Sequence, residues 1–216
     1  RLVLLQLQES RYEDALGNLT GMKELTDDDR YYLAITYAKL ERFEDALDAI
    51  SEVPITSRLG CETVMLRASL LKDRGRQEEV IRELNSAWEY FSTRGSCMEA
   101  GYQLATEYDT AGRRAEGMEV ARKLLEKNPR DPVALNLVGY VWADQGINLP
   151  KANRMIRSAL KSRPDDPYIL DSMAWVLHRQ GKHAEAYSYI RKALKKLDSD
   201  PTIHEHTGDI LKAMGR

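Results

Sequence analysis

The chain has 216 residues, 43% of them hydrophobic and 31% charged, with a formal net charge of −2. That balance suits a chain with a packed interior, and the two cysteines are too few for a disulfide-stapled miniprotein. No apolar run of about 20 residues and no signal-peptide pattern occurs, and the charge lacks the basic excess of a nucleic-acid module.

In chain order, residues 1–26 hold a short apolar helix over residues 2–9, then Tyr12-Glu13-Asp14-Ala15 and Leu19 in a second helix. Residues 27–60 repeat the idea, with Ala34 and Tyr37 followed by Phe43-Glu44-Asp45-Ala46 and Ile50. Residues 61–97 carry Ala68, Leu71, Gly75, Val80, Leu84 and Ala87, and residues 98–131 carry Ala105, Tyr108, Gly112, Gly117, Ala121 and Pro129. The pattern is sharpest over residues 132–166, 167–200 and 201–216. There Asp131-Pro132, Asp166-Pro167 and Asp200-Pro201 recur 35 and 34 residues apart, each followed at fixed offsets by Gly139, Ala174 or Gly208 and by Gly146, Gly181 or Gly215.

Each feature has a physical role. Asp caps a helix N-terminus, Pro fits the first helical position, and Gly supplies the left-handed residue that ends a helix. Small residues at Gly139, Ala152, Ala174 and Ala186 let paired helices approach, and Leu135, Val138, Trp142, Leu170, Met173 and Leu177 fill the groove between them at helical spacing. A period near 34 residues with this order predicts an all-α fold. It is a right-handed α-solenoid of antiparallel helix pairs, about thirteen helices, running as one domain over residues 1–216. Beginning with Arg and ending just after Gly215, the sequence reads as a fragment that opens inside one repeat and stops before a second helix. Two open ends would permit self-association. Asn148-Leu149-Pro150 makes one turn a residue longer.

Gly139, Gly146, Ala152, Ala159 and Pro164, and again Ala174, Gly181, Ala186 and Ala193, resemble the tetratricopeptide repeat (TPR). The resemblance implies a non-enzymatic scaffold whose first helices line a concave groove for a polypeptide segment. The groove offsets hold Tyr31, Met65, Tyr102, Asn136, Tyr140, Tyr168, Asp171, Trp175, Glu205 and Asp209. Of these, Tyr and Trp offer large contact area at low entropy cost. Neither the Lys/Asn clamp for C-terminal carboxylates nor an asparagine ladder is present. Residues 129–216 are similar to bacterial cell-envelope TPR lipoproteins, some of them protease adaptors. That implies a periplasmic parent held to the membrane by an anchor missing here, with a cytoplasmic home as the alternative. The alternative function is a targeting or substrate-recruitment module of a larger enzyme.

Cys61 and Cys97 open successive first helices, whose axes should lie about 8–10 Å apart, and they read as free thiols. His178, His183, His204 and His206 read as packing or surface residues. No metal, cofactor or catalytic set is expected. Residues 1–97 carry 13 basic and 18 acidic side chains, and residues 98–216 carry 19 and 16. Lys151, Arg154, Arg157, Lys161 and Arg163, then Arg191, Lys192, Lys195 and Lys196, form an outer basic stripe. It suits anionic headgroups or an acidic partner, with a solvated face as the default and no nucleic acid expected.

Overall fold

A computed structural model describes residues 2–216. Among them are thirteen helices and no strand: α1 (Leu2–Gln8), α2 (Tyr12–Thr20), α3 (Asp27–Lys39), α4 (Phe43–Ser51), α5 (Gly60–Asp73), α6 (Gln77–Ser92), α7 (Met98–Thr110), α8 (Arg114–Lys127), α9 (Pro132–Asp144), α10 (Leu149–Ser162), α11 (Pro167–Arg179), α12 (His183–Leu194) and α13 (Pro201–Ala213). Odd-numbered helices are the first members of the pairs and even-numbered ones the second. The chain divides into two compact units, Arg1–Glu107 and Tyr108–Arg216.

The predicted caps are in place. Asp131 accepts from the Ala134 amide at 2.8 Å, while Asp166 and Asp200 each accept from two amides of the first turn, with Pro at the first helical position in all three. Thr26 and Asp29 form a reciprocal capping box at α3.

One turn recurs between the paired helices. A residue with φ between 59° and 77° follows the first helix at Ser10, Glu41, Gly75, Gly112, Gly146, Gly181 and Gly215. The next amide then bonds five residues back, as in Arg42 N to Tyr37 O at 2.9 Å and Lys182 N to Leu177 O at 2.9 Å. This closes the orphan carbonyls of the first helix and reverses the chain. The longer turn uses a second left-handed residue, Asn148 at φ 49°, to absorb its extra position before α10. At Gly139 a Cβ would stand 2.5 Å from Ile156 Cγ1 and 3.1 Å from the Ala152 carbonyl, so α9 and α10 touch through the missing side chain.

In the second unit one core runs through Leu135, Ile156, Leu170, Met173, Ile190 and Ile210. Each such side chain contributes about 1.5–3 kcal/mol by leaving water. In the first unit Leu16, Leu19 and Leu33 form one cluster, and Ala34, Ile50 and Val53 another. Glu107 is buried there and meets Lys72 Nζ at 2.6 Å.

The cysteines correct the sequence reading. Cys61 and Cys97 are joined, Sγ to Sγ at 2.06 Å, with Cα atoms 5.6 Å apart. Helix spacing misleads because Cys97 lies outside α7, as a left-handed residue at φ 48° that turns toward the first turn of α5. Gly60 lets that turn sit against Ile55, where a Cβ would meet the carbonyl oxygen at 2.0 Å. Glu99 lies near both sulfurs, but the sulfurs are bonded to each other.

Two outcomes follow for urea unfolding. Glu41→Gly removes a left-handed penalty and should raise stability by about 0.5–1 kcal/mol. Reducing the disulfide, or replacing both cysteines with serine, should cost about 3 kcal/mol through the freed loop.

Candidate functional site

The second unit holds an unusual buried run. All nine residues from Ile169 to Leu177 of α11 are buried, because α9, α10, α12 and α13 all pack against that helix. Two of the nine, Asp171 and Ser172, are polar. Ser172 Oγ donates a hydrogen bond to the Tyr168 carbonyl at 2.9 Å. Asp171, 6% exposed, faces His206 of α13, itself 5% exposed, with Oδ1 2.8 Å from Nδ1.

His206 is the hub. Its ring stacks on Trp175 at 4.1 Å, and Tyr140 of α9 lies 6.2 Å away. His178 stacks on Trp175 at 5.1 Å and meets His183 across the Gly181 turn, Nδ1 to Nδ1 at 3.2 Å. Arg179 ties the same region to the preceding pair, donating from Nη1 to the Asp144 carbonyl at 2.7 Å. Burial, then the Asp144, Asp109 and Asp171 carboxylates, push the Tyr140 hydroxyl well above its ordinary range, so it stays a neutral donor. Burial and then the neighbouring His183 lower His178 below its ordinary 6.5.

The ten groove residues separate in space. Tyr140, Asp171 and Trp175 gather around His206. Tyr168 is 58% exposed, and Glu205 and Asp209 are exposed on α13. Asn136 stands half-buried on α9, its Oδ1 buried without a hydrogen-bond partner, and the Trp175 Nε1 is in the same position. Tyr31, Met65 and Tyr102 belong to the first unit and are half-buried; Tyr31 meets Tyr32 edge to face at 5.6 Å. Trp175, only 8% exposed, packs between α11 and α13 and does not stand open as an aromatic anchor. His206, expected as a packing or surface residue, is a packing one; its pairing with Asp171 was not foreseen, although its place 35 residues later, one repeat on, was a usable signal.

The six stripe residues Lys151, Arg154, Arg157, Lys161, Arg191 and Lys195 are all exposed. Among the described residues no helix is long and apolar enough to cross a membrane. The cluster brings together a carboxylate, three imidazoles, an indole and a phenol, which offer hydrogen-bond donors, acceptors and ring faces.

His206→Ala should cost about 3 kcal/mol or more, since it strands the Asp171 carboxylate in the interior. Asp171→Asn with His206 retained should cost less, and thermal melts of both variants distinguish them. For His178 the sign is set by its lowered value: the unfolded chain holds the proton more tightly. Its contribution is therefore full above pH 6.5 and is lost as pH falls through the folded value, which melts across a pH series will register.

Residues 148–201 match the family model of the tetratricopeptide repeat. A TPR repeat-containing protein of Pseudomonas aeruginosa is 41% identical over 88 residues, which is 41% of this chain and 15% of that protein's length. The chain thus spans well under a fifth of that relative. Among solved structures, a tetratricopeptide repeat protein from Parabacteroides merdae superposes with a TM-score of 0.68 at 14% identity, covering 88% of this chain and 73% of its own. YrrB, described as a TPR protein with an unusual peptide-binding site, superposes with a TM-score of 0.60 at 13% identity, covering 95% and 98%. These two likenesses speak to the fold. The matched residues identify a tetratricopeptide repeat within residues 148–201, and the recurring left-handed turn and the order of helix pairs share the fold of tetratricopeptide repeat structures.

Proposed function

We propose that the second unit binds an extended segment of another protein along α9, α11 and α13. The repeat is in general a non-catalytic scaffold for protein–protein interaction, and the reading here adds where the segment lies and what it offers. The observation that carries it is the pair of buried, unpartnered polar atoms, Asn136 Oδ1 and Trp175 Nε1. Buried polar atoms are nearly always hydrogen-bonded in folded proteins. A peptide backbone supplies both complements, an N–H for the Asn oxygen and a C=O for the Trp N–H, once the side chains that cover the two atoms in the free chain move aside. Exposed Tyr168 gives ring contact, and Glu205 with Asp209 favours a basic side chain on the ligand.

An adaptor that holds one protein for another in a bacterial envelope fits this reading. The Cys61–Cys97 disulfide supports that compartment over the cytoplasm, because such bonds persist where the surroundings are oxidising. A recruitment module within a larger enzyme would use the same surface.

The test is a peptide array screened with the intact chain, followed by calorimetry on the best binder. Trp175→Phe keeps the packing ring and removes the N–H, and should weaken binding by about 1 kcal/mol with little change in melting. Tyr168→Ala combined with Asp209→Lys should weaken it by about 1–3 kcal/mol. Unchanged affinity in both variants would end the proposal.

A further inference from the structure

The outer faces of the second helices in the second unit change character from one repeat to the next. On α8, Arg122 is neutralised twice, by Glu119 at 2.8 Å and by Glu126 one turn on. The equivalent of Arg122 is Arg157 on α10, 35 residues later, and Arg191 on α12, a further 34. The acids that neutralise it are gone. Where α8 has Glu119, α10 has Arg154 and α12 has Ser188; where α8 has Glu126, they have Lys161 and Lys195. Arg157 Nη2 donates to Asn153 Oδ1 at 3.4 Å, and Arg154, Arg157, Lys161, Arg191 and Lys195 form no ion pair among the described residues.

This departs from the rest of the chain. Arg11, Arg42, Arg76 and Arg113 each sit at a helix start and pair with an acid three residues on. Even at the far ends of α10 and α12 the cations find acids, Arg163 with Asp166 at 3.8 Å and Lys196 with Asp165 at 3.4 Å. Between those turns lie exposed cations in equivalent positions of adjacent repeats, and α10 contains no acid at all. Removing paired acids and substituting further cations at the same positions builds a field without building a pocket. The apolar side of α10, Ala152, Ile156 and Ala159, is committed to the core. The rings beside the patch, Trp142, Tyr187 and Tyr189, pack on the core and lie under Lys151, Arg191 and Lys192, so they do not stand free as the aromatic anchors of a specific protein interface. The patch's exposed apolar neighbour, Ile147, 46% exposed, stands at the N-terminal end of α10.

We propose that the α10–α12 face is an electrostatic docking surface for an anionic lipid bilayer. A flat sheet of lipid phosphates presents diffuse negative charge without demanding a pocket, which is what a two-row array of exposed cations complements. The surface is separate from the proposed peptide site on α9, α11 and α13, so a docked chain keeps that site free for its ligand.

The experiment is vesicle co-sedimentation of the intact chain with phosphatidylglycerol–phosphatidylcholine vesicles and with phosphatidylcholine alone, across a salt series. Binding should require phosphatidylglycerol and fall as salt rises. The triple variant Arg154→Gln, Arg157→Gln, Lys161→Gln should lose roughly 100-fold in partitioning, about fivefold per cation, while Arg122→Gln stays within about threefold. All four sites are exposed, and circular dichroism checks that helicity is retained. Polyglutamate and duplex DNA serve as competitors. Absence of binding at about 0.1 M salt, equal binding to the neutral vesicles, an unaffected triple variant, or tighter binding of either competitor would each overturn the proposal.

Discussion

A short amphipathic helix cannot stand alone in water, and here each first helix as far as α11 is followed at once by a second. The return is made by a single left-handed residue and the hydrogen bond it permits, used after each first helix from Ser10 to Gly215. Five of the seven positions are glycine, which adopts that conformation without a Cβ clash. Once the turn is fixed, the facing residues are fixed with it. Gly139 against Ile156 and Ala152 is the tightest instance, a helix pair brought together by an absent side chain.

Because α11 is enclosed by four other helices, it can hold polar groups that an outer helix would leave to water. The Asp171–His206 pair and the His206–Trp175–His178 stack bind α13 to α11 through directional contacts instead of oil alone. Such pairs add little net stability, but they penalise any arrangement in which one partner is displaced. The same enclosure leaves Asn136 Oδ1 and Trp175 Nε1 unpartnered, and the proposed peptide reading rests on those two atoms.

The fold was legible because its determinants are local. Asp-Pro, the glycine seven residues after the small mid-helix residue, and helical spacing each act within one turn of chain, and each acts in the structure as read. The candidate site was legible only in part. Offsets along a helix say which side chains share a face, yet they do not say whether a neighbouring helix has already covered it. Trp175 shares its helix with exposed Tyr168 but lies under His206, a residue one repeat away. The disulfide was missed for a related reason. The spacing of helix axes sets no distance for Cys97, which sits in the link before its helix, where φ 48° redirects it.

That bond also reshapes how the first unit can come apart. In an array of helix pairs, segments fray one at a time, and amides in a middle pair exchange with solvent whenever that pair loosens on its own. Cys61 and Cys97 stand at either end of the α5–α6 pair, so its two boundaries are stapled together. Loosening there must occur within a closed covalent ring, and the α5–α6 pair becomes a clasp inside an otherwise modular stack.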